Sequence, residues 1–396
     1  MSDSSASVAF DPFDPAFLAD PYPTYARLRD TAPVLSAQAP VIDDPRARTW
    51  VLSRYEHVSA AARDWQRFSS SPLNAGVPGM RFLIGSDPPD HTTLRRLVNR
   101  PFHPNAVKAM EPRIRELAAG LVDILVEKAS TGPADLVELL SEPLPVIVIA
   151  EMLGIPADRR ADFKRWSDAM IGGLSPDFDR NAGAVAAMEM FGYFNEVVAE
   201  RKERPGDDLI SVLVGGKEPL SNPELLMFCM LLLVAGNETT TNLISNMTAA
   251  LFENEEAMAR LRADPSLLPA AIEEALRFDS PVQSIWRMTT TDVEIEGVEI
   301  PERSLVTLLY GAANRDPAAF ADPDRFDIDR RPTNHLAFGS GIHLCLGAPL
   351  ARLEARVAFE LLLTRTSLLE PAGAGERIQN LIVRGMRRLP VSCQAA

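Results

Sequence analysis

The sequence predicts a mainly α-helical fold with a small β portion. Three observations carry this reading. Apolar residues recur at helical spacing over long stretches, at about 107–129, 133–153, 157–171, 181–204 and 223–255. Strand-like alternation is confined to short pieces early and late in the chain. The 32 prolines and 22 glycines among 396 residues punctuate these stretches and are too few for a low-complexity or collagen-like chain.

In chain order, residues 1–20 read as coil broken by Asp, Pro and Phe, and Tyr22 to Asp30 as a short helix. Strand-like pieces follow at Pro33–Ala37 and Thr49–Leu52. A loop rich in Ser, Gly and Pro spans Ser69–Pro89 and carries Met80, Phe82, Leu83 and Ile84, candidates for a lid or a pocket wall. Asp87–Met110 reads as helix with breaks at Pro101 and Pro104. Gly172-Gly173, Ser175-Pro176 and Pro205-Gly206 separate later helices. Asn222 as N-cap and Pro223 at the first position open a helix reaching about Glu255, roughly 50 Å at 1.5 Å per residue. Val293–Glu296, Gly297 and Val298–Ile300 form a hairpin signature, with a further strand at Leu305–Leu309. No repeat period and no linker is visible, so residues 1–396 read as one domain.

Composition excludes several classes of function. A net charge of −14 argues against wholesale nucleic-acid binding, which requires Lys and Arg to neutralise phosphates. An apolar share of 46% excludes a disordered chain. The longest apolar run, Leu225 to Gly236, falls short of the roughly 20 residues of a membrane span. The opening Met1-Ser2-Asp3-Ser4-Ser5 lacks the basic and apolar regions of a signal peptide, so a cytoplasmic protein without a membrane anchor is expected. Three cysteines, Cys229, Cys345 and Cys393, make a disulfide framework improbable.

Cys345 has the most unusual surroundings, Phe338-Gly339-Ser340-Gly341-Ile342-His343-Leu344-Cys345-Leu346-Gly347-Ala348-Pro349. Pro349 opens a helix with an apolar stripe of Leu350, Leu353, Val357 and Leu361, so Cys345 precedes a helix N-terminus, which favours a thiolate. Flanking glycines leave room for a large flat group beside the sulfur. Taken alone, the segment also fits a buried cysteine in a tight turn. A zinc site would need further ligands at short spacing, and His343 is poorly placed as the base of a Cys–His hydrolase.

Phe338-Gly339-x-Gly341-x-His343-x-Cys345-x-Gly347 resembles the haem-binding loop of the cytochrome P450 family at each defining position, with His343 where many members carry Arg. The resemblance extends over the chain. Ala235-Gly236-Asn237-Glu238-Thr239-Thr240, midway along the long helix, is similar to the family's oxygen-binding groove, where Glu238 and Thr239 match an acid–alcohol pair. On residue type alone the threonines could equally bond back to preceding carbonyls. Glu274-Ala275-Leu276-Arg277 matches the family's buried Glu-x-x-Arg, and Pro323-Asp324-Arg325-Phe326 the segment that supplies its third partner. His91 and Arg95, four apart on one helix face, with Arg287 and His343, match positions that grip the haem propionates in bacterial members.

The resemblance implies the cytochrome P450 fold, with haem b between the long central helix and the Cys345 loop, and Cys345 as its iron ligand. It further implies a bacterial monooxygenase that adds one oxygen atom from O2 to a hydrophobic organic substrate. Electrons would come from NAD(P)H through a ferredoxin reductase and a ferredoxin. An acidic ferredoxin is expected to dock on Arg95, Arg96, Arg100, Lys108 and Arg113. The candidate pocket comprises Met80, Phe82, Leu83, Met170, Leu232, Ala235, Ile285 and Val383, nearly all apolar as pocket walls generally are. A peroxide-driven or rearranging haem-thiolate enzyme is the second reading, and the acid–alcohol pair counts against it. A haem-based sensor or carrier is the third, disfavoured because no output domain accompanies the chain. A monomer is expected.

Overall fold

A computed structural model describes residues 10–39, 47–71, 81–172, 179–216 and 220–396. Helices α1 (Pro15–Ala19) and α2 (Tyr22–Thr31) precede an antiparallel pair, β1 (Val34–Gln38) and β2 (Arg48–Leu52). Next come α3 (Tyr55–Arg63), β3 (Phe68–Ser69), α4 (Asp90–Val98) and α5 (Pro104–Ala129). The chain breaks between α4 and α5 where the two prolines predict it, through a 3-10 turn at Arg100–Phe102.

The single helix expected over 133–153 is instead three pieces: β4 (Ala134–Asp135), a π-helical turn at Val137–Ser141, and α6 (Pro143–Met152). Pro143 and Pro145 lack amide donors, so the helix restarts there, and the Glu142 amide reaches back five residues to the Val137 carbonyl. α7 (Arg160–Gly172), α8 (Arg180–Glu203) and α9 (Leu209–Val214) follow.

The central helix is α10 (Asn222–Phe252). Its cap is Ser221 rather than Asn222. The Ser221 amide donates to Glu224 Oε2 at 2.9 Å, closing a capping box that the Asn–Pro pair concealed. By length and apolar composition α10 would pass as a membrane span, yet 56% of its most apolar window is buried inside the protein. It packs against α6, α7, α8, α12 and α14. The helix ends at Phe252, and Glu255 opens α11 (Glu255–Ala263), followed by α12 (Leu268–Phe278).

The β portion assembles from distant pieces. β5 (Ser284–Thr289), β6 (Val293–Ile295), β7 (Val298–Ile300) and β8 (Leu305–Leu309) lead into α13 (Tyr310–Ala313). The main sheet has the order β1-β2-β8-β5-β3, with β2 and β8 parallel. Glu296 and Gly297 both take positive φ, 51° and 76°, as a tight two-residue turn between β6 and β7 requires. α14 (Ala348–Arg365) carries the predicted stripe, and β9 (Thr366–Pro371), β10 (Glu376–Arg377), β11 (Met386–Arg388) and β12 (Pro390–Ala395) close the chain.

Glu274 and Arg277 on α12 are fully buried. Arg277 Nε and Nη2 donate to the two Glu274 oxygens at 2.8 and 2.7 Å, a bidentate pair. Its other donors reach the carbonyls of Asn314, Pro323 and Arg325 at 2.9, 2.8 and 3.2 Å. The third charged partner is Arg330, whose Nε meets Glu274 Oε1 at 3.1 Å. Arg325 points its side chain to the surface and contributes only a carbonyl. The expectation for the Pro-x-Arg-Phe segment therefore holds for its backbone and fails for its side chain. Removing Glu274 leaves Arg277 buried without its counter-charge, at about 3–5 kcal/mol, and removing Arg277 leaves Glu274 buried with Arg330 as its remaining charged partner. Against a net stability of about 5–15 kcal/mol, Glu274→Ala and Arg277→Ala should leave little soluble folded protein. Arg330→Ala, which removes a more accessible partner, should lower the melting temperature and still fold. Circular dichroism melts of the three variants check this order.

Candidate active site

The Cys345 loop is a backbone construction. Gly339 and Gly341 both lie at φ +70°, where other side chains are strained. A Cβ on Gly341 would sit 2.9 Å from the Ala62 carbonyl oxygen and the Arg63 Cα, so the loop presses directly on α3. Arg63 Nε donates to Ser340 Oγ at 2.9 Å. The loop closes on itself where the Cys345 amide donates to the Phe338 carbonyl at 2.9 Å.

The Cys345 thiol sits at the start of α14, facing the Gly347 and Ala348 amides. Burial pushes the thiol up, and these two amides with the Arg95 and Arg352 charges only partly offset it. The helix N-terminus is thus where the sequence predicts it, but its field alone does not make a thiolate. A metal ion in the proton's place would do so outright. Cys229 and Cys393 are buried, and Cys345 keeps an open surface, so among the cysteines it alone can meet a ligand.

Four residues expected to be cationic converge beside it. The rings of His91, on α4, and His343 lie 4.6 Å apart. Arg95, one turn along α4, acts on His91, His343 and Cys345, and Arg287 on β5 acts on His343. Burial and these three neighbours push His343 down to about 3. Burial and Arg95 likewise lower His91. Among the described residues, His91 Nε2, His343 Nε2 and Arg287 Nη2 are buried and find no hydrogen-bond partner. Asp87 is the carboxylate that acts on both His91 and Arg287, but it accepts from Ser69 Oγ and the Ser70 amide. Crowded donors lacking acceptors fit an anionic ligand, and two carboxylates within reach of Cys345 match the haem propionates.

On α10 the partly open positions recur at helical spacing: Met227, Leu231, Ala235 with Val234, then Glu238 with Thr239. Beyond Thr239 the residues through Thr248 are buried. Thr239 Oγ1 donates to the Ala235 carbonyl at 2.7 Å, the back-bonding that its residue type allowed. Its oxygen can still accept a hydrogen bond. Burial pushes the Glu238 carboxyl up to about 7, with Lys164 on α7 pulling it down and Asp168 and Glu142 raising it. Lys164 Nζ is held by Asp168 at 2.5 Å and Glu142 at 3.1 Å.

The candidate pocket residues divide. Met80 lies outside the described residues. Ala235 is open, and Phe82, Met170 and Ile285 are half-buried, Ile285 against the sheet cluster. Leu83, Leu232 and Val383 are buried, the first two in the main apolar core. Sequence reasoning missed Arg63, Asn314 and Arg352, which hold the Cys345 loop from other elements. No local spacing announces contacts across such distances in the chain.

A family model described as Cytochrome P450 matches residues 42–391. The cytochrome P450 monooxygenase PikC of Streptomyces venezuelae is 41% identical over 95% of this chain and 91% of its own. The vitamin D(3) 25-hydroxylase of Pseudonocardia autotrophica is 40% identical over 96% of each chain. The solved structure of cytochrome P450 CYP109Q5 from Chondromyces apiculatus superimposes with a TM-score of 0.87 at 41% identity, covering 98% of this chain and 99% of that one. With a complete Cys345 loop and a matching overall fold, the chain belongs to the cytochrome P450 family of haem-dependent monooxygenases.

Proposed function

We propose that this chain binds haem b through Cys345 and adds one oxygen atom from O2 to a hydrophobic organic substrate, drawing electrons from NAD(P)H through a ferredoxin. One observation carries the reading: Cys345, an exposed residue at the start of α14, stands beside buried donors that find no partner among the described residues. When bound, thiolate-ligated haem supplies the oxidising chemistry, favouring O–O cleavage. Cys345 holds the iron. Arg95, Arg287, His91 and His343 orient the group by its carboxylates. The open stripe of Met227, Leu231, Val234 and Ala235 supports an apolar substrate, and a relative is named for hydroxylating vitamin D(3).

Glu238 and Thr239 are proposed to deliver protons. A carboxyl near 7 can give and regain a proton at neutral pH, as a relay requires. Thr239 Oγ1, its own hydrogen committed to Ala235, offers its lone pairs to orient a water molecule.

A groove of about 380 Å³ runs between α5, α12 and α14, lined by Lys108, Glu111, Glu273, Arg352 and Arg356. Pro349 lines it too, which puts it on the Cys345 side. This supports a docking face for an acidic ferredoxin around Lys108 and Arg100, both exposed. Arg113 is a weaker candidate than its position implied, because Glu151 and Glu116 neutralise it at 2.7 and 2.6 Å.

Three outcomes are expected. Reduced protein under carbon monoxide should show the red-shifted band of thiolate-ligated iron. Cys345→Ala should abolish that band and Cys229→Ala should retain it; an unchanged spectrum in Cys345→Ala overturns the ligand assignment. Thr239→Ala should keep haem and substrate binding but consume NADH with release of hydrogen peroxide instead of product, whereas Glu238→Gln should slow turnover while staying coupled. Measuring NADH, peroxide and product together separates the two. Finally, Lys108→Glu should slow ferredoxin-supported reduction and flatten its salt dependence, as loss of an attractive charge predicts. Stopped-flow reduction across ionic strengths reads both.

A further inference from the structure

Arg352, on the second turn of α14, lies outside the donor cluster around His343, yet its geometry is directed at the same loop. Its guanidinium carbon sits 4.5 Å from the centre of the Phe338 ring. Glu273 on α12 holds it there with two parallel bonds, Nε to Oε1 at 2.6 Å and Nη2 to Oε2 at 2.8 Å. His335 Nε2 meets Glu273 Oε2 at 3.0 Å, and the Ala337 amide donates to His335 Nδ1 at 3.3 Å. Burial would raise the Glu273 carboxyl, but Arg352 and His335 hold it down at about 2. Phe338 in turn presents the carbonyl that accepts the Cys345 amide. A continuous chain of contacts therefore runs from α12 through Glu273, Arg352 and Phe338 to the backbone of Cys345.

Joining α12 to α14 does not require this arrangement. Ile272 and Leu353 already pack in the apolar core between these helices, and an ion pair with Arg352 40% exposed adds little stability. What the apolar contacts cannot supply is a planar group fixed in two directions against one ring. Arginine does this and lysine does not.

We propose that Arg352, fixed by Glu273 and His335, is a positioning residue for the iron ligand. It clamps Phe338, and through the Phe338 carbonyl it confines the Cys345 backbone so that Sγ keeps one direction. The inference rests on Cys345 being the haem ligand, as proposed above.

The test uses purified holoprotein reduced with dithionite, so that no protein partner enters the measurement. Haem content, melting temperature and lifetime of the red-shifted carbon monoxide band are compared at one pH. The variants are Arg352→Gln, Glu273→Gln, Arg352→Lys, Phe338→Leu and the double variant Phe338→Leu/Arg352→Gln. Arg352→Gln and Glu273→Gln should bind haem at the wild-type level but lose the band at least about tenfold faster, the rate factor of about 1.4 kcal/mol. Arg352→Lys should not restore the lifetime. In the Phe338→Leu background, Arg352→Gln should add no further loss, because the effect passes through the ring. A lower melting temperature with an unchanged band lifetime would reduce the clamp to an ordinary helix–helix contact and overturn the proposal. So would a full additional effect of Arg352→Gln in the Phe338→Leu background. A wild-type protein lacking the red-shifted band would instead overturn the ligand reading itself, whatever the variants do.

Discussion

Everything around Cys345 depends on a buried ion pair on α12. Glu274 and Arg277 are fully shielded from water, where two charges cost more than their mutual attraction returns unless every remaining donor and acceptor is satisfied. Here they are. Arg277 spends its donors on the carbonyls of Asn314, Pro323 and Arg325, and Glu274 accepts from the Asp327 amide and Arg330. The segment so tied has little secondary structure of its own, and it leads directly into the Cys345 loop. Asn314 extends the same logic, taking the Leu336 amide at 2.7 Å and donating to Ser280 at 2.8 Å. A loop without a ladder of its own is thereby held by side chains from a helix.

The contrast between this network and the donors near His343 carries the functional reading. Both are buried and rich in positive charge. The first is complete, and the second leaves nitrogens of His91, His343 and Arg287 without a partner among the described residues. Buried polar groups are overwhelmingly paired in folded proteins, so a cluster left incomplete among the described residues, beside Cys345, fits an anionic partner. Burial first, and then the neighbouring charges, lower both histidines, and Asp87 opposes the shift of His91 only in part.

Much of this was legible in the sequence, for reasons that can be named. Cys345 and its glycines form a local motif whose geometry depends on neighbours in the chain, and residue type permits the positive φ of Gly339 and Gly341, while Gly347 of the same motif stays at φ −83°. The central helix was legible because more than eight turns of apolar pattern leave no other element possible, although its cap was misread. Asn222-Pro223 makes a good local start, but Ser221 and Glu224 carry the Ser-x-x-Glu spacing of a capping box, the signal that marks the true one. The helix over 133–153 was misread because apolar periodicity ignores Pro143 and Pro145 as breaks. Arg330, Arg63 and Arg352 were not legible at all. Each is one arginine among many: Arg330 and Arg63 act only once Glu274 and Ser340, far away in the chain, are brought to them, and Arg352 only once Glu273 on α12 meets α14.

α10 shows how one helix carries both stability and chemistry. Its later turns, through Thr248, are buried, and Asn246 there bonds the carbonyls of Asp279 and Arg384 at 3.0 and 2.9 Å, fixing the helix to the β-rich end. Its earlier turns keep an open stripe, where burying side chains would stabilise more but leave no room for a ligand. The boundary falls at Glu238 and Thr239. A carboxyl there is buried enough to hold its proton near neutral pH, yet it is not consumed by the Lys164 charge, because Asp168 and Glu142 hold that lysine. Had Lys164 been free to pair with Glu238, the carboxyl would be locked in its ionised form. The acidic residues on α7 and at the start of α6 thus keep the Glu238 carboxyl from being drawn into an ion pair with Lys164.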